Sequence, residues 1–233
     1  DAYLVNHTGK PEAITVLGMA SNKESLALLS DLYRESDSHK VKVAVLKAYV
    51  VGDYSKPLGE LLEYEQDPRL QADIIHTMGI MDATDDLQAL YPTLTSQGTR
   101  VAALKAFFLA GDTRVLRQVL ETETDPELRK TAIQGIAMDD GPDAVALLES
   151  VYDEATTVEE KQTVLEALFM MDDAKDLALK IVRTETNVEL RHNAIEALGI
   201  MEATQELASL YTSLDEIDLR MAVLESMAIG DDT

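Results

Sequence analysis

The chain has no cysteine and no tryptophan, only 5% aromatic residues, and 20 basic side chains against 43 acidic ones in 233 residues. Each shortage excludes something. Without cysteine there is no disulfide, thiolate metal site or cysteine nucleophile. With few aromatics, the apolar 46% must build a core from Leu, Ile, Val, Ala and Met, which is helix-former chemistry. A formal charge of −23 repels phosphate backbones and anionic lipid surfaces, so neither nucleic acid nor a membrane surface is an expected partner. No uninterrupted apolar stretch approaches the ~20 residues of a bilayer span, so direct membrane insertion is not expected either.

Chemistry-bearing motifs are also missing. His7, His39, His76 and His192 are scattered, without His-x-x-x-His or His-Glu-x-x-His spacing, so zinc is not expected. His76 shares its register with Lys47, Lys105, Gln134, Glu166, Glu196 and Glu225, a solvent-facing position. The acidic pairs Asp85-Asp86, Asp139-Asp140, Asp172-Asp173 and Asp231-Asp232 lack the calcium-loop pattern, and helix N-termini account for them more simply. No serine sits in a nucleophile elbow and no glycine-rich phosphate loop occurs. The reading is of a chain that is not an enzyme and takes no cofactor.

What is present is repetition. An apolar anchor in an Ala-rich helix recurs at Ile14, Leu46, Ile75, Leu104, Ile133, Leu165, Ile195 and Leu224, at spacings of 29 to 32 residues. Such a period marks a solenoid. The segments from Gly79 to Tyr91 and from Gly199 to Tyr211 lie 120 residues apart and share eight of thirteen residues.

One unit shows the physics. Asp125 caps, Pro126 suits the first helical position, and Glu127 favours the positive helix end. Leu128, Ala132, Ile133 and Ile136 then share one face of a 3.6-residue period. Arg129, four residues after Asp125, is placed to return to it. Asp139 to Pro142 stop the helix, and a second helix from Asp143 to about Tyr152 turns Val145, Leu148, Val151 and Tyr152 inward. Asp67-Pro68, Thr99-Arg100, Asn187 and Asp218-Leu219 mark equivalent starts. The hairpins are assigned to residues 11–35, 38–66, 67–96, 97–123, 125–155, 157–185, 187–214 and an incomplete 217–233, forming one continuous domain over 1–233. Neither helix of a pair buries its apolar face alone; stacking supplies ~1.5–3 kcal/mol per fully buried aliphatic side chain.

The Asp-Pro-x-x-Arg opening, the Ala-Ile-x-Ala-Leu-Gly motif from Ala194 to Gly199, the acidic turn and the shorter Leu-rich second helix resemble HEAT repeats. The ~30-residue period is most similar to the short bacterial HEAT-like class that includes phycobilisome lyase repeats. The resemblance implies an all-α, right-handed α-solenoid of about seven and a half hairpins. It also implies a non-enzymatic protein-interaction scaffold that presents its second helices to a protein or peptide, a basic one by charge. A lyase-like or enzyme-accessory module and a structural spacer in a larger protein are the alternatives.

Two sets of residues are candidates for that surface. Tyr33, Tyr91, Tyr152 and Tyr211 recur at one place in the second helix, with Leu120 and Val182 in the equivalent slot elsewhere and Tyr64 out of register. They read either as an aromatic ladder for a partner or, preferentially, as an amphipathic core rim. Arg114, Arg117, Lys175, Lys180 and Arg183 lie on two second helices, and read either as brackets of an anionic groove or, preferentially, as charge balance. At the ends, Ala2 to Val5 read as the remnant of a preceding segment and Gly9-Lys10-Pro11 as the first helix start. The last helix, with Leu219, Ala222, Val223 and Met227, reads as an edge prepared to meet a further unit or another molecule. The oligomeric state stays open. An opening at Asp1-Ala2-Tyr3 without Met suggests processing and an extracytoplasmic bacterial location, a salt-adapted cytoplasm explaining the acidity equally well.

Overall fold

A computed structural model describes residues 11–231, apart from Ser21, Asp140 and Asp172 and the side chains of Pro11, Ile229, Gly230 and Asp231. The readings placed on Ala2 to Val5, His7, Gly9, Lys10, Asp140, Asp172 and Asp232 lie outside the described residues. Every regular element among the described residues is helical. No helix among them is long and apolar enough to cross a membrane. The chain divides into two compact units, residues 1–115 and 116–233.

The first unit pairs α1 (Pro11–Met19) with α2 (Lys23–Glu35), α3 (His39–Gly52) with α4 (Lys56–Tyr64), and α5 (Pro68–Ile80) with α6 (Thr84–Leu90). It continues through α7 (Gln97–Leu109) into α8 (Thr113–Thr122), whose first turn belongs to this unit. The second unit takes the rest of α8, then α9 (Pro126–Ile136) with α10 (Pro142–Glu154), α11 (Val158–Leu168) with α12 (Lys175–Thr184), and α13 (Val188–Ile200) with α14 (Thr204–Ser213). It ends in α15 (Ile217–Asp231).

Side-chain caps set the helix starts. Asp67 accepts from the Arg69 amide, Asp125 from Glu127 and Leu128, and Asn187 from Glu189 and Leu190, each before a first turn whose free N–H groups need an acceptor. α7 begins at Gln97, two residues before the expected Thr99, because Ser96 caps it by accepting from the Thr99 amide. Helix ends are equally regular. Asp53, Asp82, Gly111 and Glu202 take left-handed backbone, with φ of 57°, 54°, 72° and 52°, seven residues after the anchors Leu46, Ile75, Leu104 and Ile195. The amides that follow them close on Tyr49, Met78, Phe107 and Leu198 carbonyls at 2.9 Å, satisfying acceptors a helix end leaves free.

The first helices of successive hairpins lie side by side in each unit, and the anchors Ile14, Leu46, Ile75, Leu104, Ile133, Leu165 and Ile195 are all buried. Glycine permits their closest approach. A Cβ on Gly79 would lie 2.9 Å from the Ala106 backbone, and one on Gly199 would lie 2.8 Å from Ser226. This is the physical content of the glycine that closes the Ala194-to-Gly199 motif.

The last anchor departs from expectation. Leu224 is 44% exposed although Ser226, two residues on, meets Gly199 in the expected register. No described hairpin follows α15, so Leu224 lies on its uncovered side with Ile217 and Met221, a stripe at i, i+4 and i+7. Leu219, Ala222 and Val223, expected to await a neighbour, are already buried in their own unit.

Candidate interaction surface

Of the two readings of the tyrosines, a ladder for a partner or, by preference, a core rim, burial at Tyr33, Tyr91 and Tyr152 agrees with the second. Tyr33 is fully buried, and Tyr91 and Tyr152 nearly so; a side chain without exposed surface presents nothing to a partner. Each sits below a cation nine residues later. Lys42 Nζ lies 4.8 Å from the Tyr33 ring centre, Arg100 5.1 Å from Tyr91, Lys161 4.9 Å from Tyr152 and Arg220 4.5 Å from the half-buried Tyr211. In the intervening hairpins the slot is aliphatic, and the residue nine later reaches backbone instead. Gln71 donates to the Glu65 carbonyl at 2.8 Å, Arg129 to Leu120 and Glu123 carbonyls, and Arg191 to the Val182 carbonyl. Arg129 also pairs with Glu160 at 2.6 Å. The alternation makes the structural period two hairpins, about 60 residues, and explains why the strongest internal match lies 120 residues away.

Two of these places are complete polar clamps. Tyr33 donates to Glu65 Oε2 at 3.0 Å and Lys42 to the same oxygen at 2.8 Å, while Oε1 accepts from the Gln66 and Asp67 amides. Tyr152, Lys161, Thr186 and Asn187 treat Glu185 identically. The Lys161 ammonium holds the Glu185 carboxyl down at about 2, against desolvation, with help from the two amides and Tyr152. Burial pushes Glu65 up, but Lys42, the Asp67 amide and Tyr33 outweigh it and its pKa falls. Burial, then the neighbouring carboxylate, raises both Tyr33 and Tyr152. These groups are satisfied and structural.

Two of the five basic candidates are engaged by acids. Lys180 is bound by Asp153 at 2.7 Å and Glu149 at 2.8 Å, which raises its pKa. Arg114 is held by Asp112 at 2.7 Å and lies 3.5 Å from Asp85. Arg183 is exposed at the end of α12, and Arg117 and Lys175 are half-buried. Among the histidines, His39 lies 3.2 Å from Asp73, while His76 and His192 are exposed. No group of three or more metal-ligating side chains occurs among the described residues. Asp85 and Asp86 occupy the first turn of α6.

The surface that the sequence reading missed lies at the other end of the hairpins. Five residues after each anchor, at or just past the end of the first helix, stands an exposed apolar side chain. In the first unit these are Met19, Val51, Ile80 and Leu109; in the second, Met138, Met170 and Ile200. Their exposures run from 43% at Ile200 to 65% at Met19. A chance scatter of surface apolar residues would not keep one register through seven hairpins. Acids stand beside them on the turns, at Asp53, Asp82 and Asp112 in the first unit and at Asp139, Asp173 and Glu202 in the second. In the first unit the turns holding Asp82, Asp85 and Asp112 enclose a shallow polar hollow with Arg114 at its edge. The signal for this ladder was in the sequence, since counting five on from each anchor finds it. Only burial shows that those positions face water while the anchors do not.

No protein-family model matches the chain, and no curated protein matches it. Among solved structures, human deoxyhypusine hydroxylase in complex with glycerol is similar, with 15% identity and a TM-score of 0.45, over 95% of this chain and 90% of that one. That neighbour is by name an enzyme, which stands against the expectation that this chain is not one. At this distance the likeness transfers neither substrate nor reaction.

Proposed function

We propose that the chain is a protein-interaction scaffold whose contact surface is, in each unit, the row of first-helix ends rather than the tyrosine face of the second helices. The observation that supports it is the exposed apolar side chain repeated once per hairpin in one register. A solenoid offers such a row preformed, so contact orders little of the chain and loses little entropy. The −23 charge selects partners that bring basic residues, and makes association weaken as salt rises.

The test is affinity capture with the whole chain from a lysate of its source, at about 50 and about 500 mM salt. The native chain is expected to retain a defined set of proteins at low salt and release them at high salt. Substituting Ile80, Leu109, Met170 and Ile200 with serine is expected to empty that set. Retention of nothing by the native chain, or retention indifferent to both salt and serine, overturns the scaffold.

A further inference from the structure

The two units carry their ladders in different electrostatic settings. One turn before the rung, four residues earlier, Val51, Ile80 and Leu109 of the first unit have Lys47, His76 and Lys105, whereas the second unit has Gln134, Glu166 and Glu196, all exposed. With acids on the turns of both, the first-unit rungs Val51, Ile80 and Leu109 lie between a basic or imidazole group and an acid. Those at Met170 and Ile200 lie between acids. The difference extends to the whole of each unit. Residues 1–115 hold 16 acidic and 11 basic side chains, a charge of −5; residues 116–233 hold 27 and 9, a charge of −18.

We infer that the ladder of the second unit, Met138, Met170 and Ile200, is the docking site for a basic amphipathic helix of a partner protein. This rests on the scaffold reading and names its occupant. Charge complementarity fixes the sign, because only a cationic segment gains from Glu166, Glu196, Asp173 and Glu202 around the apolar rungs. Geometry admits a helix. Neighbouring first helices pack ~8–10 Å apart, so rungs repeat at that interval. A helix places residues i, i+7 and i+14 on one face at ~10.5 Å per heptad, just above the upper end of that interval. An extended strand repeats one face every ~7 Å, just below the lower end of that interval. Two of the rungs are methionine, whose unbranched, polarisable side chain adapts to different apolar neighbours. A second copy of this chain is disfavoured by like charge, and an anionic lipid surface for the same reason.

The experiment uses the full chain and a fluorescein-labelled helical peptide of about 20 residues, leucine at heptad positions and lysine elsewhere, read by anisotropy. Its control is the same peptide with glutamate for lysine. The variant M138S/M170S/I200S is expected to weaken the lysine peptide at least about tenfold, and V51S/I80S/L109S less than about twofold. The independent variant E166K/E196K is expected to weaken it similarly and to flatten its salt dependence. Far-UV circular dichroism on every variant separates lost contact from lost fold. Equal losses in both serine variants, no loss in either, tight binding of the glutamate peptide, or failure of the lysine peptide to bind overturns the inference. If the native chain still captures proteins in a salt-dependent way, the scaffold stands and only this occupant falls.

Discussion

Tyr33, Lys42 and Glu65 in the first unit and Tyr152, Lys161 and Glu185 in the second form one clamp twice, 119 or 120 residues apart, with hydrogen bonds that agree within about 0.2 Å. Around that shared interior the surfaces have diverged, from a charge of −5 to one of −18. Interior and surface answer to different constraints. A buried carboxylate must keep its cation and its donors or be left uncompensated, so the clamp tolerates little change. An exposed position one turn from a rung costs almost nothing to recharge, so Lys47 and Lys105 in one unit stand where Glu166 and Glu196 stand in the other.

The clamps offer the largest effects with which to test that equivalence. Replacing Glu65 or Glu185 with alanine strands a part-buried ammonium and a tyrosine hydroxyl together with two backbone amides, and each is expected to cost about 3 kcal/mol. Urea unfolding followed by circular dichroism measures both, and a difference above about 1 kcal/mol would show that the clamps are not equivalent.

Acid sharpens the comparison next. The Glu185 carboxyl, 9% exposed, titrates at about 2 in the folded chain against 4.5 for an ordinary glutamate. A lowered folded pKa means that the stabilisation is complete above pH about 4.5 and is lost as pH falls through about 2. The native chain is therefore expected to exceed Glu185→Gln by roughly 2 kcal/mol at neutral pH, with the gap closing near pH 2. Unfolding curves across that range check it.

Salt separates the units more gently. Screening relieves self-repulsion, which is greater where the charge is −18 than where it is −5. Raising salt is expected to slow hydrogen exchange in the second unit by up to about fivefold, roughly 1 kcal/mol, and less in the first. Equal protection in both would dissociate stability from the charge difference. The smallest effect belongs to the rungs. Ile80→Ser and Ile200→Ser remove exposed apolar side chains, and each is expected to shift stability by no more than about 0.5 kcal/mol. A larger loss would make the ladder part of the core and not a surface.

Much of this was legible beforehand. Seven anchors, the capping residues Asp67, Asp125 and Asn187, and the glycine of the repeat motif follow from a 3.6-residue apolar period and the unpaired groups of helix ends, both local properties. The reading failed where burial depends on what lies opposite. Tyr152 has a polar tip and the spacing of a rim residue, yet its hydroxyl finds Glu185 from 33 residues later and its ring lies under Lys161. Leu224 keeps its register and faces outward for want of a following hairpin among the described residues. Arg129 lies within helical reach of Asp125 but takes Glu160 of the next hairpin and two carbonyls of the preceding one.

Periodicity, caps and composition thus determined by themselves that the chain is a stack of helical hairpins with aliphatic seams and a strongly negative exterior. Only the tertiary structure decided which apolar residues are seam and which are surface, and which charges are satisfied. An anchor and the rung five residues after it are alike in composition and stand nearly half a turn further round the helix. What separates them is whether a neighbouring hairpin removes water from that side.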